Sequence, residues 1–163
     1  MALVRRMSLA LSLIMSAVSP SMAKAGPLGP ECLAEISPNT VTAGSTGQSF
    51  TLRVYNGAPL PVALPTEEIG SVRLFSNWVD LVLITSASAS PSWETRVFDP
   101  PGTVARYRGG EIPLGGFETF SAAGNVEDTT ATEDWTVSTS RDGGMTYRTC
   151  APIRSGALDL IVA

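Results

Sequence analysis

Apolar and polar residues alternate with a period of two along most of this chain, and helical periodicity is hard to find beyond residue 25. Ser49 to Tyr55 sets Phe50, Leu52 and Val54 on one face and Thr51, Arg53 and Tyr55 on the other, and Asn56-Gly57 ends that strand. Ser71 to Phe75 points Val72 and Leu74 inward and Arg73 outward. Asp80 to Thr85 is a continuous apolar run after its first residue, which predicts a strand buried on both faces. Trp93 to Phe98, Thr103 to Tyr107, Phe117 to Ala122, Asp134 to Thr139, Met145 to Cys150 and Leu158 to Val162 continue the series. Asp142-Gly143-Gly144 reads as a hairpin. About nine short strands separated by Gly, Pro, Asn and Asp turns predict an all-β fold, an immunoglobulin-like antiparallel β-sandwich.

The first 25 residues fit neither period. Arg5 and Arg6 precede an apolar run from Leu9 to Val18, and Ala23-Lys24-Ala25 is a small-residue cleavage signal. Together they predict a signal peptide over 1–25 and a mature start near Gly26. The run is short for a spanning helix, so an uncleaved anchor is the weaker alternative. The Arg pair also matches part of a twin-arginine signal, although its flanks fit general secretion better. The expected location is exported, periplasmic or extracellular, with no stable membrane insertion after processing.

Removing the leader changes the charge. Arg5, Arg6 and Lys24 leave with it, so 8 arginines face 15 acidic residues, a net charge of −7, with no Lys and no His remaining. A chain this acidic, with no basic cluster along its sequence, is a poor binder of nucleic acid or anionic lipid. The 138 residues that follow make a single domain over 26–163. Lack of His removes the usual general base, excludes Ser-His-Asp and Cys-His catalysis, and removes the commonest ligand for zinc and copper(II). The two cysteines, Cys32 and Cys150, read first as a disulfide in an oxidising compartment. A two-thiolate metal site is the competing reading, with an incomplete ligand set.

Four groups could carry chemistry. Glu127, Asp128, Glu133 and Asp134 could hold calcium, but lack EF-hand spacing and read as a solvated loop. Trp78, Trp93 and Trp135 could line a cleft; Trp135 reads as core, and Trp93 as a partly exposed surface-binding residue at a strand entrance. Glu111 and Glu118 could be acid and base of a hydrolase, yet the intervening Pro113 and glycines suggest only a turn. The segment Arg108-Gly109-Gly110-Glu111-Ile112-Pro113-Leu114-Gly115-Gly116-Phe117-Glu118-Thr119-Phe120 is the most distinctive: glycine pairs and a proline bracket a tight crossing into an alternating strand.

That segment resembles the signature region of the YcnI-like family of exported bacterial proteins. Further similarities follow in order: Pro38 through Ala43-Gly44 to Phe50-Thr51-Leu52-Arg53-Val54, then Pro91-Ser92-Trp93-Glu94, then Asp142-Gly143-Gly144. The resemblance spans roughly residues 33–152 and implies an immunoglobulin-like sandwich associated with copper handling. The family's copper is held by an N-terminal His, a nearby acid and a Trp on a late strand. Here Leu33 stands at the His position, Asn39 or Thr40 at the acid, and Tyr147 or Arg148 at the Trp. The resemblance further implies that a Cys32–Cys150 bond occupies the place of the metal brace.

The expected function is therefore an exported, non-catalytic binding or structural module without a cofactor, its partner an unknown protein or small ligand. The alternative is copper handling through Glu31, Met145 and Tyr147. N-terminal sequencing of exported material tests the leader: a start close to Gly26 is expected, and a start at Met1 contradicts cleavage.

Overall fold

The computed structural model describes residues 32–57, 69–76, 81–98 and 104–163. The leader, Glu31 and Trp78 lie outside them. The described residues form strands and turns with no helix, so none is long and apolar enough to cross a membrane. The strands are β1 Cys32–Ser37, β2 Thr40–Val41, β3 Gln48–Asn56, β4 Ile69–Ser76, β5 Val82–Ser88, β6 Glu94–Val97, β7 Val104–Ile112, β8 Phe117–Val126, β9 Ala131–Ser140, β10 Arg148–Thr149, β11 Ala151–Pro152 and β12 Asp159–Val162.

They build two facing sheets. The first has the order β11-β1-β3-β8-β5; the second has the order β2-β12-β9-β4-β7-β6, with β10 added on β9. Most neighbours are antiparallel. β1 with β11 and β12 with β2 are parallel, so the sheets are mixed where antiparallel ones were expected. These short parallel edges bring distant segments of the chain together. β11 ends in Pro152, which has no N–H for the ladder, as an edge strand tolerates.

The predicted alternation holds in β3, β4 and β8. Phe50, Leu52 and Val54 of β3, Val72 and Leu74 of β4, and Phe120, Ala122 and Val126 of β8 all face the core. Ala105 and Tyr107 of β7, Trp135 and Val137 of β9, and Leu160 and Val162 of β12 stand beside the β4 residues on the second sheet, across from those of β3 and β8. Each fully buried large side chain contributes roughly 1.5–3 kcal/mol. Phe50 meets Trp135 at 5.4 Å between ring centroids, and Phe120 meets Tyr107 at 4.6 Å. The Tyr107 hydroxyl donates across the sandwich to the Ser121 carbonyl at 2.8 Å, and burial pushes its pKa up.

Three expectations are corrected. β5 buries Val82 and Ile84 but leaves Leu83 half-buried, because it is an edge strand and not a central one. Only Arg148–Thr149 of the segment from Met145 to Cys150 is strand; the residues before it belong to the β9–β10 turn. Glu133 is not part of a solvated loop. It is 1 % exposed, because it shares the inward phase of Trp135 and Val137 and lies opposite Leu160 of β12.

One end of the sandwich is clamped. β10 belongs to the second sheet and β11 to the first, so the chain changes sheets at Cys150. There Cys150 is bonded to Cys32 at the start of β1, across 118 residues of sequence. The Thr139 hydroxyl of β9 lies 3.2 Å from the Cys32 sulfur. Cys32 pairs with Asn56 in the ladder. The buried Asn56 amide donates to the Ile112 carbonyl at 2.7 Å, and its oxygen accepts from Arg141 at 2.8 Å. These bonds join β3 to the ends of β7 and β9.

Closing a loop of 118 residues corresponds to about 4–5 kcal/mol in the chain-entropy model, with measured losses of about 2–5 kcal/mol. A Cys32→Ser/Cys150→Ser variant is expected to lose about that much in equilibrium denaturation. An unchanged midpoint contradicts the clamp's role.

Candidate functional site

The outer face of the second sheet carries a feature that linear spacing conceals. Arg73 of β4 pairs with Arg106 of β7, and Arg106 pairs with Arg96 of β6. Their neighbours Val72, Leu74, Ala105 and Tyr107 are buried, so all three arginines project to the outer face. Directly paired residues have Cβ atoms about 5 Å apart, so three guanidinium-bearing side chains form a row across three strands. Among the described residues none of the three has a carboxylate within ion-pair distance. The sequence had suggested no basic cluster; register creates one.

Aromatic rings hold the row in place. Arg73 lies over Tyr147 at 3.5 Å from the ring centroid, while Arg106 and Arg96 lie over Phe98 at 4.7 Å and 5.1 Å. Such stacking contributes roughly 0.5–1 kcal/mol per pair at exposed sites. Adjacent like charges in a sheet are destabilising, so the row opposes folding and the rings only partly offset it.

At the end of the row Arg108 faces Glu94 across β7 and β6 and donates to the Gly143 carbonyl at 2.9 Å. Arg108 lines an open groove of ≈ 690 Å³ together with Gly70, Ser92, Trp93, Gly110 and Gly143. Gly143 (φ 72°) belongs to the β9–β10 turn, a hairpin as expected. Asp142 organises that turn. It accepts hydrogen bonds from the Thr146 hydroxyl and N–H, the Ser140 hydroxyl and the Met145 N–H, and these hold its carboxyl well below the usual range.

Trp93 differs from expectation. Its residue is 6 % exposed, not a protruding surface aromatic. The Ser90–Trp93 turn folds the indole inward, where it lies edge-on to Phe120 at 4.9 Å and donates to Glu118 Oε2 at 3.4 Å. The indole also rests against Gly110, where an added Cβ would come within 2.2 Å of the ring. Trp135 is core, as expected.

The remaining candidates do not assemble. Glu111 is exposed on β7 of the second sheet, whereas Glu118 is on β8 of the first, its oxygens accepting from Trp93 and from the Thr119 N–H at 2.9 Å. Met145 is 82 % exposed on the β9–β10 turn, and Tyr147 lies beneath Arg73. Among the described residues no group of three or more Cys, Asp or Glu side chains is placed to hold a metal ion. A second exposed cluster lies on the first sheet. Phe117 is 57 % exposed beside Tyr55 (5.5 Å) and beneath Arg53 (5.2 Å), and Glu35 pairs with Arg53 at 3.4 Å and Arg154 at 2.9 Å. There both arginines share one carboxylate partner.

No protein-family model and no curated protein matches this chain. Among solved structures it is similar to the N-terminal domain of a Streptococcus gordonii adhesin, at 10 % identity and a TM-score of 0.50, covering 83 % of this chain and 33 % of that one. It is also similar to a membrane-anchored protein from Corynebacterium diphtheriae, at 10 % identity and a TM-score of 0.50, covering 86 % of this chain and 37 % of that one. The chain thus spans about a third of the length of each. At this identity the likeness is one of fold, and it places the chain among all-β sandwich domains.

Gly110→Ala is expected to destabilise the protein by about 1–3 kcal/mol, because the indole and its contacts with Phe120 and Glu118 must shift. Thermal denaturation checks this. A variant as stable as the parent contradicts the tight packing of Trp93 on β7.

Proposed function

We propose that this protein is an exported, non-catalytic β-sandwich module that binds anionic ligands through the outer face of its second sheet. One observation carries this reading: Arg73, Arg106 and Arg96 stand in register, with no carboxylate partner among the described residues. Contacts with Tyr147 and Phe98 offset only part of the repulsion within that row. Costly local arrangements of this kind concentrate at functional sites. The leader-like first 25 residues and the Cys32–Cys150 bond support export to an oxidising compartment. Adhesin and anchored-protein domains among its fold neighbours fit a surface-binding role.

The same reading makes the chain a divergent relative of the YcnI-like domains, with the disulfide in place of their metal brace. Copper is no part of its work. The residues after the leader offer no imidazole, and the Arg73 guanidinium over the Tyr147 ring places a positive charge beside one of the three alternative ligands, Glu31, Met145 and Tyr147.

Two outcomes are expected. At pH 7 and low salt the net-negative protein is retained on a carboxylate cation exchanger, and an Arg73→Ser/Arg106→Ser variant flows through; flow-through of the parent contradicts the reading. Calorimetry with copper(II) gives no stoichiometric submicromolar site, and the appearance of one restores the copper alternative.

A further inference from the structure

The ligand class can be narrowed further, on the reading that the second sheet's outer face binds anions. We infer that the arginine row takes an acidic polysaccharide, a chain of sugars bearing carboxylates, laid across β4, β7 and β6.

The row itself selects for oxyanions. All three cations are arginines, whose planar forked guanidinium matches a carboxylate bidentately where an ammonium cannot. Contact with Tyr147 and Phe98 restrains these groups and reduces the side-chain entropy lost on binding. The cations repeat once per strand, about 4.8 Å, across three neighbouring strands. A polymer with an anionic group on successive units engages them together; one small anion meets one or two.

The rest of the face excludes other polyanions. Asp134 of β9 and Asp159 of β12 are paired, exposed and outward-facing on the far part of the same sheet. An anionic bilayer is flat and would cover these acids along with the arginines. A single flexible chain can follow the row and avoid them. Single-stranded nucleic acid binds by stacking its bases on free aromatic faces. Here Tyr147 lies beneath Arg73, Phe98 beneath Arg96 and Arg106, and Trp93 is buried, so none of these rings offers an open stacking platform among the described side chains of the face. The groove beyond Arg108, lined by Gly70, Gly110, Gly143 and the acidic Glu94, bounds the row on that side.

The test titrates the oxidised protein with polygalacturonate at low and moderate salt, beside dextran sulfate, single-stranded DNA and anionic phosphatidylglycerol vesicles. Saturable binding to polygalacturonate that weakens with salt is expected, about tenfold weaker for each of Arg73, Arg96 and Arg106 changed to Ala. An Arg53→Ala/Arg154→Ala variant on the other sheet should bind like the parent. Arg73→Lys/Arg96→Lys/Arg106→Lys keeps the charge and should bind weakly, a comparison that holds even where the alanine variants fold poorly. Parent-like binding by the lysine or alanine variants overturns the site. Tighter binding of dextran sulfate overturns the carboxylate assignment. Binding of DNA or vesicles but not polygalacturonate overturns the glycan while sparing the anion-binding reading, and binding of none of the four overturns both.

Discussion

The register between β4, β7 and β6 is the constraint on which both core and surface depend. The side-chain period of a strand is two, so a slip of one residue would exchange the two faces completely. In the observed register Val72, Leu74, Ala105 and Tyr107 fill the interior while Arg73, Arg106 and Arg96 align outside. Slipping one strand would bring an arginine into the core, and a buried unpaired charge is far costlier than any lost surface contact. Core burial therefore fixes the arginine row, even though the row repels itself.

Two devices support that register. At one end the Cys32–Cys150 bond lies where the chain passes between sheets, and Asn56 ties β3 to the ends of β7 and β9. Nearer the groove, Trp93 leans on Gly110 of β7 and reaches Phe120 and Glu118 of β8, again bridging the sheets. β5 and β6, the outer strands of the two sheets, are joined through the Thr95 hydroxyl, which donates to the Ala87 carbonyl at 3.1 Å. The proposed binding face is thus mounted on a sandwich whose sheets are linked at several points, which suits recognition by a pre-organised surface.

Much of this fold is legible in the chain itself. Alternation in Ser49 to Tyr55 and Ser71 to Phe75 places the inward residues correctly, because one buried face leaves a period-two trace. The Asp142-Gly143-Gly144 turn is equally readable, because positive φ there demands glycine. The pairing of Cys32 with Cys150 follows from an even count in a chain that opens on a leader-like segment. β1, β2 and β11 escape the reading because their short runs gain order from distant partners: Leu33 pairs with Ala151, and Val41 with Val162. Glu133 misleads because a carboxylate beside Asp134 looks solvated, whereas strand phase turns it inward. Trp93 misleads for the opposite reason, since the Ser-Pro-Ser turn before it looks like surface but folds the ring inward. The arginine row leaves no linear signal. Arg73, Arg96 and Arg106 are separated by entire strands and turns, and only cross-strand pairing unites them, so local charge density gave no basic cluster to read.

The central claim is that this aligned row, and not the ion-paired cluster around Phe117 on the first sheet, is the surface the protein uses. Side-chain Nε–Hε NMR signals of the eight arginines after residue 25, followed during titration with oligogalacturonate, test it most directly. The account predicts that Arg73, Arg96 and Arg106 shift together along one saturating curve while Arg53 and Arg154 stay in place. Shifts confined to Arg53 and Arg154, or no shift at any arginine, would contradict it.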